Sequence, residues 1–124
     1  MKNPLRSNMD TKIKAQWLAA LRSGEYKQGK RFLHNKDHEF CCLGVLLDAT
    51  GTNWHFVRGE DCCEDCYISD VGKTYMDVTA NGYLKPEELE KFNITKDDMR
   101  YLVEMNDEKQ YKFDQIADWI EEVM

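Results

Sequence analysis

The stretch RGEDCCEDCY, Arg58 to Tyr67, places three of the chain's five cysteines within five positions, among Glu60, Asp61, Glu64 and Asp65. Cys63 and Cys66 have the C-x-x-C spacing that lets two thiolates reach one tetrahedral ion at about 2.3 Å. A structural zinc site needs two more ligands. Cys41 or Cys42 together with His38 or His55 would supply them, and Cys62 is an alternative. Zinc is therefore the one candidate cofactor. Several observations oppose it. A second C-x-x-C pair is missing. Cys41 and Cys42 are adjacent, so in an extended strand one faces the core and the other faces away. Cysteine also packs as a small hydrophobe, and four neighbouring carboxylates push thiol pKa values up. The balance favours a solvated loop, with Cys42 in the core. A redox reading of C-x-x-C lacks the surrounding βαβ pattern.

The other reactive side chains assemble nothing stronger. No H-E-x-x-H, G-x-S-x-G or P-loop is present. His34, His38 and His55 lie in or near a hairpin and an irregular loop, where a core-edge or surface role is the ordinary one. Asp48, at the end of an apolar run, is the acid with a half-buried setting, suited to a cap or to a pair with Arg31. No spacing suggests a glycosidase-type acid pair, and no nucleophile, base and oxyanion set can be drawn. A non-enzymatic protein is expected.

Charge is distributed as a gradient. Residues 1–36 carry nine Lys/Arg against Asp10 and Glu25, whereas residues 86–124 carry twelve acids against five bases; the whole chain is at −6. The two ends could face each other or be separately solvated. Two binding surfaces follow from the gradient. Arg22, Tyr26, Lys27, Lys30 and Arg31 interleave cations with an aromatic, as a pocket for a small nucleotide-like ligand would. Glu104, Asp107, Glu108, Asp114, Asp118, Glu121 and Glu122 form an acidic surface suited to a partner protein that otherwise binds nucleic acid. Overall acidity argues against direct duplex binding. A homo-oligomer is compatible with the sequence.

These residues need a frame, and 124 residues at 42% hydrophobic content suit one domain with a modest core. No apolar run approaches the ~20 residues that span a bilayer. The N-terminus lacks the apolar stretch of a secretory signal. A cytoplasmic setting and reduced cysteines are expected, and the odd cysteine count fits this.

Residues 1–9 read as a flexible arm and 10–124 as one α+β domain, a small antiparallel hairpin or sheet packed by four or five short helices. Asp10 or Thr11 caps a first helix with Ile13, Trp17, Ala20 and Leu21 on one face, ended by Ser23-Gly24. Lys30–His34 and His38–Cys42 flank a turn at Asn35–Asp37. Cys42–Gly51 is a short buried helix. Residues 52–82 form an irregular cysteine-containing insertion, with short strands at Trp54–Val57 and Tyr67–Ile68. Helices start at Pro86 and after Thr95, the latter with Asp98 in the capping-box position. Asn106–Lys109 breaks the second of these near Met105. Phe113, Ile116, Ala117, Ile120 and Val123 mark a last amphipathic helix.

Together the blocks Trp17–Gly24, Tyr26–Gly29, Phe40–Leu46, Tyr83–Pro86, Met105–Asp107 and Phe113–Glu122 resemble a family of small proteins found in phage genomes and prophages. Its members read W-x-x-A-L-x-S-G-x-Y-x-Q-G, C-C-L-G-V-L, Y-L-P, and L-N-D with F-x-x-I-A-D-x-I-E. The Y-L-P element carries one inserted residue here, and Gly59–Gly82 lies outside the pattern. The resemblance implies a phage setting, a protein that binds and blocks a host component, or one that sequesters a signalling molecule of a defence system. It also implies that Cys41 and Cys42 are core packing and that RGEDCCEDCY is a local elaboration.

Overall fold

A computed structural model describes residues 7–58, 65–69 and 83–124. Helix α1 (Thr11–Arg22) starts where the Asp10 carboxylate accepts the Lys12 and Ile13 amides at 2.8 and 3.2 Å, satisfying N–H groups that have no partner within the helix. It stops at Ser23, and Gly24 follows at φ 77°, a left-handed backbone open to glycine without a Cβ clash. Trp17 and Leu21 are buried on its inner face.

Strand β1 (Lys27–Gln28), β2 (His34–Asn35) and β3 (Glu39–Phe40) follow, then helix α2 (Cys42–Ala49), β4 (Trp54–Val57) and β5 (Cys66–Ser69). The sheet runs in the order β1-β3-β2-β5-β4. β1 is parallel to β3, and the other pairs are antiparallel. The turn expected at Asn35–Asp37 is present, and the Asn35 side chain accepts the Asp37 and Glu39 amides at 2.9 Å. The expected arms are longer than the observed ones: β2 begins only at His34, and His34 pairs with Phe40. Lys30–Leu33 instead runs as bends beneath α2. A Cβ on Gly44 would lie 1.8 Å from the Leu33 carbonyl oxygen, so α2 rests directly on that backbone and only glycine fits.

Helix α3 (Pro86–Phe92) carries proline in its first turn, and Asn93 at φ 58° ends it. Helix α4 (Lys96–Asp107) extends to Asp107, so the break falls at Glu108–Gln110 and not at Asn106. Helix α5 (Phe113–Val123) buries Phe113, Ile116, Ala117 and Ile120. Val123 is only partly buried. The core forms where α1, α2, α4 and α5 meet, with Trp17, Leu43, Leu46, Leu102, Ile116 and Ile120 fully enclosed. The Trp17 indole N–H donates to the Cys42 carbonyl at 2.9 Å, which removes the cost of burying its polar end. The architecture is α+β, as the periodicities indicate.

The N-terminal arm is corrected over its described part. Ser7 and Met9 are buried, and the Asn8 amide donates to the Asn93 carbonyl at 3.0 Å. Ser7 also completes the cap of α4. Its hydroxyl accepts the Thr95 amide at 2.9 Å and donates to the Asp98 carboxylate at 2.8 Å. In a capping box a Glu or Gln at the position of Asp98 reaches back to the N-cap amide itself. Asp is one methylene shorter, and the Ser7 hydroxyl bridges the gap. Residues 1–6 lie outside the described residues.

Candidate functional site

The site is built around a buried amide. Asn106, 1% exposed near the end of α4, donates through Nδ2 to the Gly29 carbonyl at 2.8 Å. Its Oδ1 accepts from Gln28 Nε2 at 2.9 Å. Gln28 Nε2 also donates to the Tyr111 carbonyl at 2.7 Å. This network ties β1 and the segment after it to the junction of α4 and α5. Gly29 leaves no room for a side chain, since a Cβ would lie 2.7 Å from Glu39 Cβ.

Two residues beyond Gly29, Arg31 adopts φ 74°, an unfavourable left-handed backbone for a residue with a Cβ. Arg31 and Tyr83 line one part of an open surface concavity of about 510 Å³. One face of α4 and its C-cap line the rest, with Arg100, Val103, Glu104 and Asp107 at helical spacing and Glu108 just beyond. Among the described residues neither Arg31 nor Arg100 forms an ion pair. The structure therefore brings Arg31 from the basic set beside Glu104, Asp107 and Glu108 from the acidic set. Arg100 and Tyr83 were missed by the sequence reading. The spacing Arg100, Glu104, Asp107, Glu108 along α4 and its C-cap was a legible signal for the first; Tyr83 stood out only as part of the Tyr83–Pro86 block.

The rest of the basic set does not converge. The Arg22 guanidinium contacts Asp118 and Glu121 at 2.8 Å each. Those hydrogen bonds to Glu121 and Asp118 raise its already high pKa. The basic and acidic ends of the chain thus clamp each other across α1 and α5, joined by a Lys14 ammonium that donates to the Glu121 carbonyl at 3.4 Å. Lys27 pairs with Glu39 at 3.3 Å. The Tyr26 hydroxyl donates to Asp48 Oδ2 at 2.7 Å. Lys30 is exposed. Of the acidic set, Asp118 and Glu121 are engaged by Arg22, while Asp114 and Glu122 are exposed on α5. The pairing suggested for Asp48 is corrected: it serves Tyr26 and the Trp54 indole, the latter at 3.0 Å, and Arg31 lies at the concavity instead.

The metal set divides. Cys62 and Cys63 lie outside the described residues. Cys66 is buried in β5 opposite Val57, His55 is exposed on β4 opposite Ile68, and Cys41 is buried at the start of α2. Among the described residues no group of three or more His, Cys, Asp or Glu is arranged to hold a metal ion. Burial pushes the Cys41 thiol up to about 12 and the Cys42 thiol well above its ordinary value. Both are thiols at neutral pH, which suits packing.

One face of the sheet carries an aromatic ladder. His34 stacks between Phe40 and Tyr67, with centroids at 4.2 Å on both sides, and Phe56 meets Tyr67 edge-on at 5.3 Å. This follows from the register, which sets His34 opposite Phe40 on one side and Tyr67 on the other. His34 Nε2 lies 2.9 Å from His38 Nδ1, while its buried Nδ1 has no partner among the described residues. Burial, then the nearby His38, lower the His34 pKa to about 4, with Asp48 opposing. The ring is neutral at neutral pH and belongs to the core.

No helix among the described residues is long and apolar enough to cross a membrane. No curated protein and no solved structure matches this chain. The sequence pattern that does match covers residues 9–124 and therefore nearly the whole fold described above, so the chain belongs to the family described as a domain of unknown function, DUF8296.

Proposed function

We propose that this chain is a phage-encoded, non-enzymatic binding protein that inhibits or redirects a host factor in an anti-defence setting. The contact is an acidic surface that imitates the charge of a nucleic acid. One observation carries the reading: the signature residues are consumed by the scaffold. Trp17 and Cys42 bond each other, Gln28 and Gly29 bond Asn106, and Gly44 admits the Leu33 backbone. Interaction chemistry is left to the exposed charges. Arg22 engages Asp118 and Glu121, and Asp107 accepts from Asn106 Nδ2 at 2.9 Å. The acids of this set without a side-chain ion pair or hydrogen bond among the described residues are therefore Glu104 on α4 and Glu108 at its C-cap, flanked by Asp114 and Glu122 on α5. Electrostatic complementarity of this kind steers association and selects the partner.

The test is affinity capture from bacterial host extract, with duplex DNA as competitor. A nucleic-acid-binding host protein should be retained by the wild type and displaced by duplex DNA. It should be lost by the triple variant Glu104→Lys/Asp107→Lys/Glu108→Lys. Retention by the triple variant, or indifference to DNA, would sink the reading.

A further inference from the structure

We infer that the concavity beside α4 is a binding site for a nucleoside phosphate. Its phosphate would sit on Arg31 and Arg100, its ribose hydroxyls on the α4 carboxylates, and its base against Tyr83. Each part of that ligand is matched by a group already placed there. Arg31 and Arg100 line one concavity and form no ion pair among the described residues, although three carboxylates line it with them. A guanidinium presents planar donors that fit phosphate oxygens. Tyr83 is 44% exposed, and an accessible aromatic ring stacks any base. Carboxylates accept from sugar hydroxyls, the way dinucleotide folds hold a ribose.

The charge balance decides between a nucleoside phosphate and a bare anion. Two cations face three acids at this site, so a simple anion gains little net attraction. A ligand that also brings hydroxyl donors uses both sets. The backbone supports a binding role for Arg31 as well. Its left-handed conformation is unfavourable, yet the bond from Asn106 to the Gly29 carbonyl holds the neighbouring segment against α4. Strain retained at an exposed charged residue is a mark of functional sites.

This inference does not depend on the protein-contact reading, although the two share the α4 carboxylates. The experiment separates them through the arginines. Adenosine 5′-monophosphate, guanosine 5′-monophosphate and inorganic phosphate are titrated by calorimetry into the wild type, Arg31→Gly and Arg100→Gln. At least one mononucleotide should bind saturably to the wild type, with phosphate weaker by about tenfold or more, and each arginine variant should weaken the nucleotide by about tenfold or more. Glycine is suited to φ 74°, so Arg31→Gly should unfold at the same or a higher temperature, which separates loss of binding from loss of fold. The inference is overturned if neither mononucleotide binds, if phosphate binds as tightly as the nucleotides, or if both variants bind like the wild type. Host-protein capture retained by Arg31→Gly while nucleotide binding is lost would assign the two activities to different parts of the surface.

Discussion

Gln28 Nε2 donates to Asn106 Oδ1 at 2.9 Å, joining residues 78 positions apart. The same Asn106 amide donates to the Gly29 carbonyl at 2.8 Å. Two sequence blocks that look like separate signatures are therefore one hydrogen-bonded unit. It fixes the segment leading to Arg31 against α4, and so shapes the concavity.

Asn106→Ala leaves the Gly29 carbonyl and a Gln28 donor without this partner in a buried setting. A cost of about 2–3 kcal/mol is expected. Urea denaturation should show a lower midpoint with an unchanged slope. Asn106→Asp keeps the acceptor for Gln28, loses the donor to Gly29, and sets a charge beside Asp107; it should be no milder than the alanine variant.

The two glycines of the scaffold should rank by what their Cβ atoms would meet. At Gly44 the obstacle is backbone, the Leu33 carbonyl oxygen at 1.8 Å. At Gly29 it is Glu39 Cβ at 2.7 Å. Gly44→Ala must separate α2 from the chain beneath it and should cost more than about 4 kcal/mol, the range of severe core lesions. Gly29→Ala should be the milder of the two. Thermal unfolding of both variants checks the order.

Ser7 lies just outside the matched family segment, yet it bonds both Thr95 and Asp98. Ser7→Ala should destabilise the protein by about 1–2 kcal/mol, the usual cost of a lost cap. Hydrogen exchange should speed up at the first turn of α4 before it does so in α5. Equal protection in the variant would mean that the cap does not need the relay.

His34 sets a pH dependence. Its pKa falls from 6.5 to about 4 on folding, so between these values the unfolded chain binds more protons than the folded one. Stability from this residue is complete above pH about 6.5 and is lost as pH falls towards 4, at no more than about 1.4 kcal/mol per pH unit. His34→Phe keeps an aromatic ring between Phe40 and Tyr67 and removes the titration. Its unfolding free energy should decline less between pH 6.5 and 4 than that of the wild type, and parallel profiles would refute the assignment.

Local rules made much of the fold legible. The Asp10 cap, the Gly24 stop, the Pro86 start and the i, i+3, i+4 pattern from Phe113 are short-range signals, and each helix lies where they indicate. The short strands expected at Trp54–Val57 and Tyr67–Ile68 are present, the second extended to Cys66–Ser69. Tertiary contact decided what these signals do not encode. Whether Arg22 binds a ligand or Asp118 depends on the packing of α1 on α5. Whether Asp48 meets Arg31 or Tyr26 depends on where β1 joins the sheet. Short-range preferences act within a turn or two of chain, whereas ion pairs and buried amides form between segments that only the finished core brings together. For this protein the sequence alone determined the helices, the burial of Cys42 and the charge gradient; the burial of Cys66 came from its pairing in β5. The tertiary structure determined that Arg22 from the basic end pairs with Asp118 and Glu121 across α1 and α5, and that Arg31 comes to lie with Arg100, Glu104, Asp107 and Glu108 at one concavity.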